Sequence, residues 1–185
     1  MATHRDKARE QVLDELLVMR CQAGDRESFD LLVRRWQRRL WRYARSLTGS
    51  DDGAWDVVQE TWIAIMRRLR KLSDPAWFAA WAYRITRNKA VDYCRGAGRR
   101  RRLAENLAER QRVDEKPDHE SPGDAVAESL RQLPPDQRDL LTLKYGEDLS
   151  IVDIAVVLGI PAGTVKSRLH HAREQLRHIL EGDES

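Results

Sequence analysis

The sequence predicts an all-α protein made of two small helical domains, a four-helix domain followed by a helix-turn-helix domain, joined by a flexible linker. Three observations carry this. Apolar residues recur at spacings of three and four through most of the 185 residues, the helical period. Pro and Gly are scarce before Gly96. A polar stretch from Gly96 to Pro122 then separates two periodic regions. A length of about 100–200 residues per domain allows one domain or two small ones. The hydrophobic set is 41% and charged residues 34%, polar for a globular chain, but six Trp, four Tyr and two Phe can anchor a core.

The elements follow in order. Arg9 to Gln22 carries Val12, Leu13, Leu16, Leu17 and Met19 and ends at Gly24. Asp25 is a fair N-cap for a second helix, which sets Phe29, Leu32, Val33, Trp36, Leu40, Tyr43 and Leu47 on one face. Gly49 closes it. A third helix runs from about Asp52 to Leu72, with Val58, Thr61, Trp62, Ile65, Leu69 and Leu72 as its inward stripe. Asp56, Gln59, Glu60, Ile63 and Arg67 form a second, outward stripe. The loop Ser73–Pro75 leads into a fourth helix, from about Ala76 to Arg95, with Phe78, Trp81, Ala82, Ile85 and Lys89 on one side. The first domain is thus 9–96 and the linker 97–122. In the second domain, 123–181, Leu130 and Leu133 precede a helix from Asp136 to Tyr145.

Net charge is +3, but its layout is uneven. Six Arg and no acid lie between Arg34 and Arg45. Seven Arg and two Glu lie between Arg95 and Arg112, and six acids and one Lys between Val113 and Glu128. Clustered Arg suits a polyanion, although a solvated helix face is the competing reading of either run. No apolar run of about 18 residues exists, so no membrane insertion is expected. MATHRDKAREQ has no apolar export core. Cys21 and Cys94 cannot build a disulfide framework and lack zinc-ligand spacing, which suits a reducing cytoplasm. Inert thiols, rather than redox sensors, are the expectation for both. No phosphate loop, metal set or nucleophile–base pattern appears, so no catalytic residue, metal or cofactor is expected and the chain does not read as an enzyme.

The most informative segment follows Gly146. Ser150 to Asp153 has the capping-box form, and Ile151, Ile154, Ala155 and Leu158 point inward up to a break at Gly159. In the next helix Val165, Leu169, Ala172 and Leu176 make one apolar stripe. Gly163, Ser167, His170, His171 and Glu174 lie opposite, flanked by Thr164, Lys166, Arg168 and Arg173. A short helix, a Gly-containing turn and a helix with a cationic outer face describe a helix-turn-helix, whose second helix enters a major groove. His170 and His171 either touch DNA or sit in solvent.

LPPDQRDLLTLKYGEDLSIVDIAVVLGIPAGTVKSRLHHAREQL resembles region 4 of the extracytoplasmic-function group (group 4) of the sigma-70 family of RNA polymerase sigma factors. GDRESFDLLVRRWQRRLWRYARSLTG, DVVQETWIAIMRRL and WFAAWAYRITRNKAVDYCR resemble region 2, in the family's order and spacing. The resemblance implies a subunit that binds core RNA polymerase and selects promoters by their −10 and −35 elements. Its implied partners are core polymerase, through the β′ clamp helices and the β flap, promoter DNA, and an anti-sigma factor. It implies that Asp56, Gln59, Glu60, Ile63 and Arg67 meet the polymerase. For the −10 element it points to Ser73, Asp74, Trp77, Trp81, Tyr83, Arg84, Arg87 and Asn88. Helical phase puts Trp81 nearer the core, which leaves Trp77 as the better stacking platform. For the −35 element the set is Thr164, Lys166, Ser167, Arg168 and His171. The acidic segment after Val113 either mimics nucleic acid in the polymerase cleft or is a plain tether. Trp55 stands where the family usually has an acid, and Ala82 where Leu is common. The competing reading is a free-standing helix-turn-helix regulator that binds operator DNA without polymerase, for which the outward stripe at 56–67 has no use.

Overall fold

The computed structural model describes residues 4–107, 129–130 and 132–182. Among them there are helices and turns and no strand. The helices are α1 (His4–Gln22), α2 (Arg26–Thr48), α3 (Asp51–Arg68), α4 (Phe78–Leu107), α5 (Pro135–Leu141), α6 (Ile151–Leu158) and α7 (Ala162–Gly182). Two single 3₁₀ turns, Leu69–Lys71 and Pro75–Trp77, connect α3 to α4, and a widened π turn, Thr142–Gly146, ends α5.

The caps explain the boundaries. The Asp25 carboxylate accepts the Ser28 hydroxyl and the Ser28 and Glu27 amides at the start of α2, and those bonds hold it below the usual carboxylate range. Gly49, with φ of 76°, ends α2 in the left-handed conformation that a glycine adopts without strain. Ser50 caps α3 through the Gly53 amide. Gly53 is required for a further reason, because a Cβ there would lie 2.8 Å from the Tyr93 ring of α4. In α6, Ser150 and Asp153 form the expected capping box.

Three boundaries differ from the sequence expectation. The first helix begins at His4, not Arg9. The third stops at Arg68, and the chain tightens into a 3₁₀ turn before Leu72. The fourth continues to Leu107 instead of ending near Arg95. A helical glycine costs only about 1 kcal/mol, so Gly96 and Gly98 do not stop a helix followed by Arg, Leu, Ala and Glu. Residues 108–128, most of the expected linker and its acidic part, lie outside the described residues.

The first domain packs α2, α3 and α4 around one core, with α1 across α2. Leu32, Trp36, Leu40 and Tyr43 of α2 meet Val57, Val58 and Ile65 of α3 and Phe78, Ala82, Tyr83 and Ile85 of α4, all buried. Each large apolar side chain so buried contributes roughly 1.5–3 kcal/mol. Trp36 is the central piece, edge-to-face with Phe78 at 5.3 Å and with Tyr83 at 5.8 Å. Lys89, expected on the inward side, instead reaches the surface and pairs with Glu60 at 3.0 Å, because α4 turns its Thr86 and Ala90 inward. On α1, Leu17 and Val18 are buried, and Asp14 is held by Arg35 at 2.9 Å. The second domain is smaller, with Leu140, Leu143, Ile154, Val157, Val165 and Leu169 at its centre.

The Trp36→Ala variant is expected to lose about 3–5 kcal/mol of stability, as large-to-small core changes do, read as an earlier urea midpoint. The thiols give a second test. Burial, with the Asp25 carboxylate adding to it, pushes the Cys21 thiol up to about 11. Iodoacetamide at pH 8 is expected to label Cys21 at least about tenfold more slowly than a free thiol, since the thiolate is the nucleophile. The rate should climb with pH towards that value, as peptide mass spectrometry would show; fast labelling at pH 8 would mean an activated thiol.

Candidate nucleic-acid interfaces and docking face

The outward stripe of α3 exists as a surface. Asp56, Gln59, Glu60 and Arg67 are exposed and Ile63 is half-buried. Glu60 accepts a hydrogen bond from Lys89 of α4, which ties the stripe to the neighbouring helix. Alongside runs an apolar groove between α2 and α3, lined by Phe29, Val33, Trp55, Val58, Trp62, Ile63 and Met66. Met66 is 61% exposed and Trp55 48% exposed. Trp62 stands edge-on to Phe29 at 5.9 Å, and Trp55 lies 5.8 Å from Trp41. The indole N–H groups of Trp41 and Trp62 are buried without an acceptor among the described residues. Apolar surface rimmed by charge is the composition that protein interfaces use. The sequence stripe found its polar half. Trp62, expected on the inward stripe, is half-buried: it packs against the core and also walls the groove.

The residues expected at the −10 element fall into two groups. Ser73, Asp74 and Trp77 are exposed on the loop before α4, where Asp74 accepts the Ala76 amide at 2.9 Å and fixes the turn. Arg84 and Asn88, one turn apart on α4, are also exposed. Trp81 is half-buried, tilted against Phe78 at 6.3 Å. Tyr83 is different: it is fully buried, and its ring meets Tyr43 at 5.3 Å. The expectation that it lines an open strand-binding surface is corrected accordingly. Its hydroxyl donates to Glu147 of the second domain. Arg87 is ion-paired with Asp139 at 2.6 Å.

Region 4's candidate reading helix is α7. Val165, Leu169 and Ala172 are buried against α5 and α6, which turns Lys166, Ser167, Arg168 and His171 outward. Thr164 is half-buried, and its carbonyl accepts the Ser167 hydroxyl at 3.1 Å. The His171 ring stacks on His170 at 5.8 Å. Gly159, with φ of 68°, makes the turn between α6 and α7.

Sequence reasoning missed the contacts between the domains. Tyr43 of α2 donates to Asp139 of α5 at 2.7 Å. Arg42 approaches Glu147 at 3.6 Å. Arg39 lies over the Trp36 ring at 4.4 Å, a cation–π contact. Burial raises the Asp139 and Glu147 carboxyls, and it raises both tyrosine phenols further above their ordinary range. Both tyrosines are therefore donors at neutral pH. Nothing in one sequence pairs positions 96 residues apart, as Tyr43 and Asp139 are.

The chain matches the family described as Sigma-70 region 2 over residues 32–100 and that described as Sigma-70, region 4 over residues 123–176. It is 36% identical to the RNA polymerase sigma-H factor of Pseudomonas aeruginosa, covering 92% of this chain and 95% of that protein. With the ECF RNA polymerase sigma-E factor of Haemophilus influenzae the identity is 33%, covering 93% and 97%. Among solved structures it is similar to CnrH in complex with the cytosolic domain of CnrY, with a TM-score of 0.70 and 29% identity over 92% of this chain and 99% of that one. It is also similar to the sigma factor RpoE in complex with the anti-sigma factor NepR from Bartonella quintana, with a TM-score of 0.69 and 25% identity over 84% and 98%. A free-standing regulator accounts for the second domain alone, whereas these likenesses span both. The chain belongs to the extracytoplasmic-function group of sigma-70-type RNA polymerase sigma factors.

Proposed function

We propose that the exposed stripe of α3, together with the apolar groove beside it, is where this sigma factor docks on the β′ clamp helices of core RNA polymerase. The observation that carries the reading is the combination on one face: Asp56, Gln59, Glu60 and Arg67 in solvent, and Trp55, Ile63 and Met66 open beside them. Charges at the rim set orientation and association rate, and the groove supplies buried apolar area. Trp55, where the family resemblance implies an acid, gives this chain a more apolar contact than the family pattern. The same groove suits an anti-sigma factor, which would block polymerase by occupying it.

Promoter reading divides between the domains. Trp77 is the platform for an unpaired base of the −10 element, with Ser73 and Asp74 shaping the loop around it. Arg84 and Asn88 follow the strand along α4. Trp81, half-buried against Phe78, offers the strand its outer edge. Tyr83 positions α4 from within, and Arg87 becomes available to phosphate only when it leaves Asp139. In the second domain α7 enters the major groove of the −35 element. Lys166 and Arg168 hold phosphates or guanine edges, and Thr164, Ser167 and His171 complete the contact set. The chain recruits and positions rather than catalyses, and it works in the cytoplasm, where the polymerase is. The β flap is the second docking point, for region 4.

Reversing charge at Asp56 and Glu60, each to Arg, is expected to weaken core binding at least about tenfold, the size expected for lost steering and register at an interface. Far-ultraviolet circular dichroism should be unchanged, because both side chains are exposed. The Lys166→Ala, Arg168→Ala pair is expected to weaken binding to a −35 duplex and flatten its salt dependence, while core binding stays intact. Equal losses in both assays from either pair would contradict the division of labour.

A further inference from the structure

The outer side of α1 carries apolar side chains that the core does not use. Val12 is 64% exposed, Leu16 45% and Met19 57%, with Leu13 beside them at 41%. Positions 12, 16 and 19 follow the alternating four and three of a coiled-coil seam. A single exposed apolar residue is ordinary, but a contiguous row along one helix is a contact surface. We infer that this row is an interface between two copies of the chain, whose α1 helices pair in parallel as a short coiled coil.

Geometry allows that occupant. Asp14, Leu17 and Val18 face the first domain and are buried. At 3.6 residues per turn, the middle of that buried side lies roughly 180° around the helix from the seam. Two chains joined at the seam therefore carry their bodies on opposite sides of the helix pair, clear of each other. Both copies use the same surface, as a two-fold dimer requires.

Charge selects a second copy and its direction. With Leu16 at an a position and Val12 and Met19 at d, Glu15 falls at g and Arg20 at e. In a parallel pair the g residue of one helix meets the e residue five positions further along the other. Glu15 then faces Arg20 of the second copy, once on each side of the seam. Glu15 is half-buried and accepts one bond, from Gln11 of its own helix at 3.0 Å, so the carboxylate has acceptor sites to spare. Arg20 is exposed and makes no ion pair among the described residues. An antiparallel pair sets g against g and e against e, and forfeits both contacts. Arg9, exposed at the a position one heptad before Leu16, keeps its head in water and its stem along the seam. A charged a position costs stability and fixes register. The short seam and that cost together make the dimer reversible, with an affinity in the micromolar range.

The test is sedimentation equilibrium of the full chain from low to high micromolar concentration, where a reversible monomer–dimer equilibrium is expected. Leu16→Glu should weaken dimerisation at least about tenfold, because it sets two charges against each other in the seam. Its urea midpoint should stay that of the wild type, since Leu16 lies outside the core. Val12→Glu, at the most exposed point of the row, is the second variant should Leu16→Glu fail to fold. Glu15→Arg and Arg20→Glu should each weaken dimerisation about fivefold, and the two together should restore it, because the swap re-forms both ion pairs. A chain that stays monomeric at the highest concentration overturns the pairing and leaves the row to a helix of another protein. A dimer indifferent to both seam variants overturns it too, because the interface then lies elsewhere. Loss of the dimer in Leu16→Glu with no response to the charge reversals overturns the parallel register.

Discussion

The edge-to-face cluster of Trp36, Phe78, Tyr83 and Tyr43 fixes α4 against α2, with centroids 5.3 to 5.8 Å apart. What α4 presents to a partner depends on that junction. It sets the rotation of α4, and so decides that Tyr83 faces in while Arg84 and Asn88 face out. It also aims two phenol hydroxyls out of the core, where they meet Asp139 and Glu147. A packed aromatic cluster is stiff, because rings interlock with little freedom to repack. A helix clamped in this way keeps its exposed side chains, Arg84 and Asn88 among them, in fixed register.

The outer face of α3 depends on packing in a different way. With the inner sides of α2 and α3 committed to the core, their shared outer edge is left as a groove lined by Phe29, Trp62 and Met66. Among the described residues nothing covers its apolar surface, while the stripe from Asp56 to Arg67 borders it with charge. In region 4, burial of Val165, Leu169 and Ala172 turns the cationic side of α7 to solvent. Both outer surfaces are consequences of what the cores consume.

Much of this was legible in the residues. The periods of three and four located α1 to α7, and Asp25, Gly49 and Ser150 mark real caps because capping depends on local chemistry. The outward stripe of α3 and the outer face of α7 follow from helical phase alone. Tyr83 was misplaced for a physical reason. Its neighbours in sequence alternate between core and solvent, and its own burial is completed by Trp36 and Tyr43 from another helix. Arg87, Asp139 and Glu147 were opaque for the same reason at longer range. Charged residues in helices read as solvated unless the partner is known, and theirs lie 52 to 96 residues away. The extension of α4 past Gly98 shows that a weak breaker is not a boundary when good helix formers follow.

The central claim is that region 2 loads this chain onto polymerase and that the two domains then read a promoter together. Titrating purified chain into core RNA polymerase, followed by transcription from templates carrying both elements, tests it most directly. The account expects submicromolar binding and initiation that is lost when either element is scrambled. Duplex DNA binding with no affinity for core polymerase would contradict it.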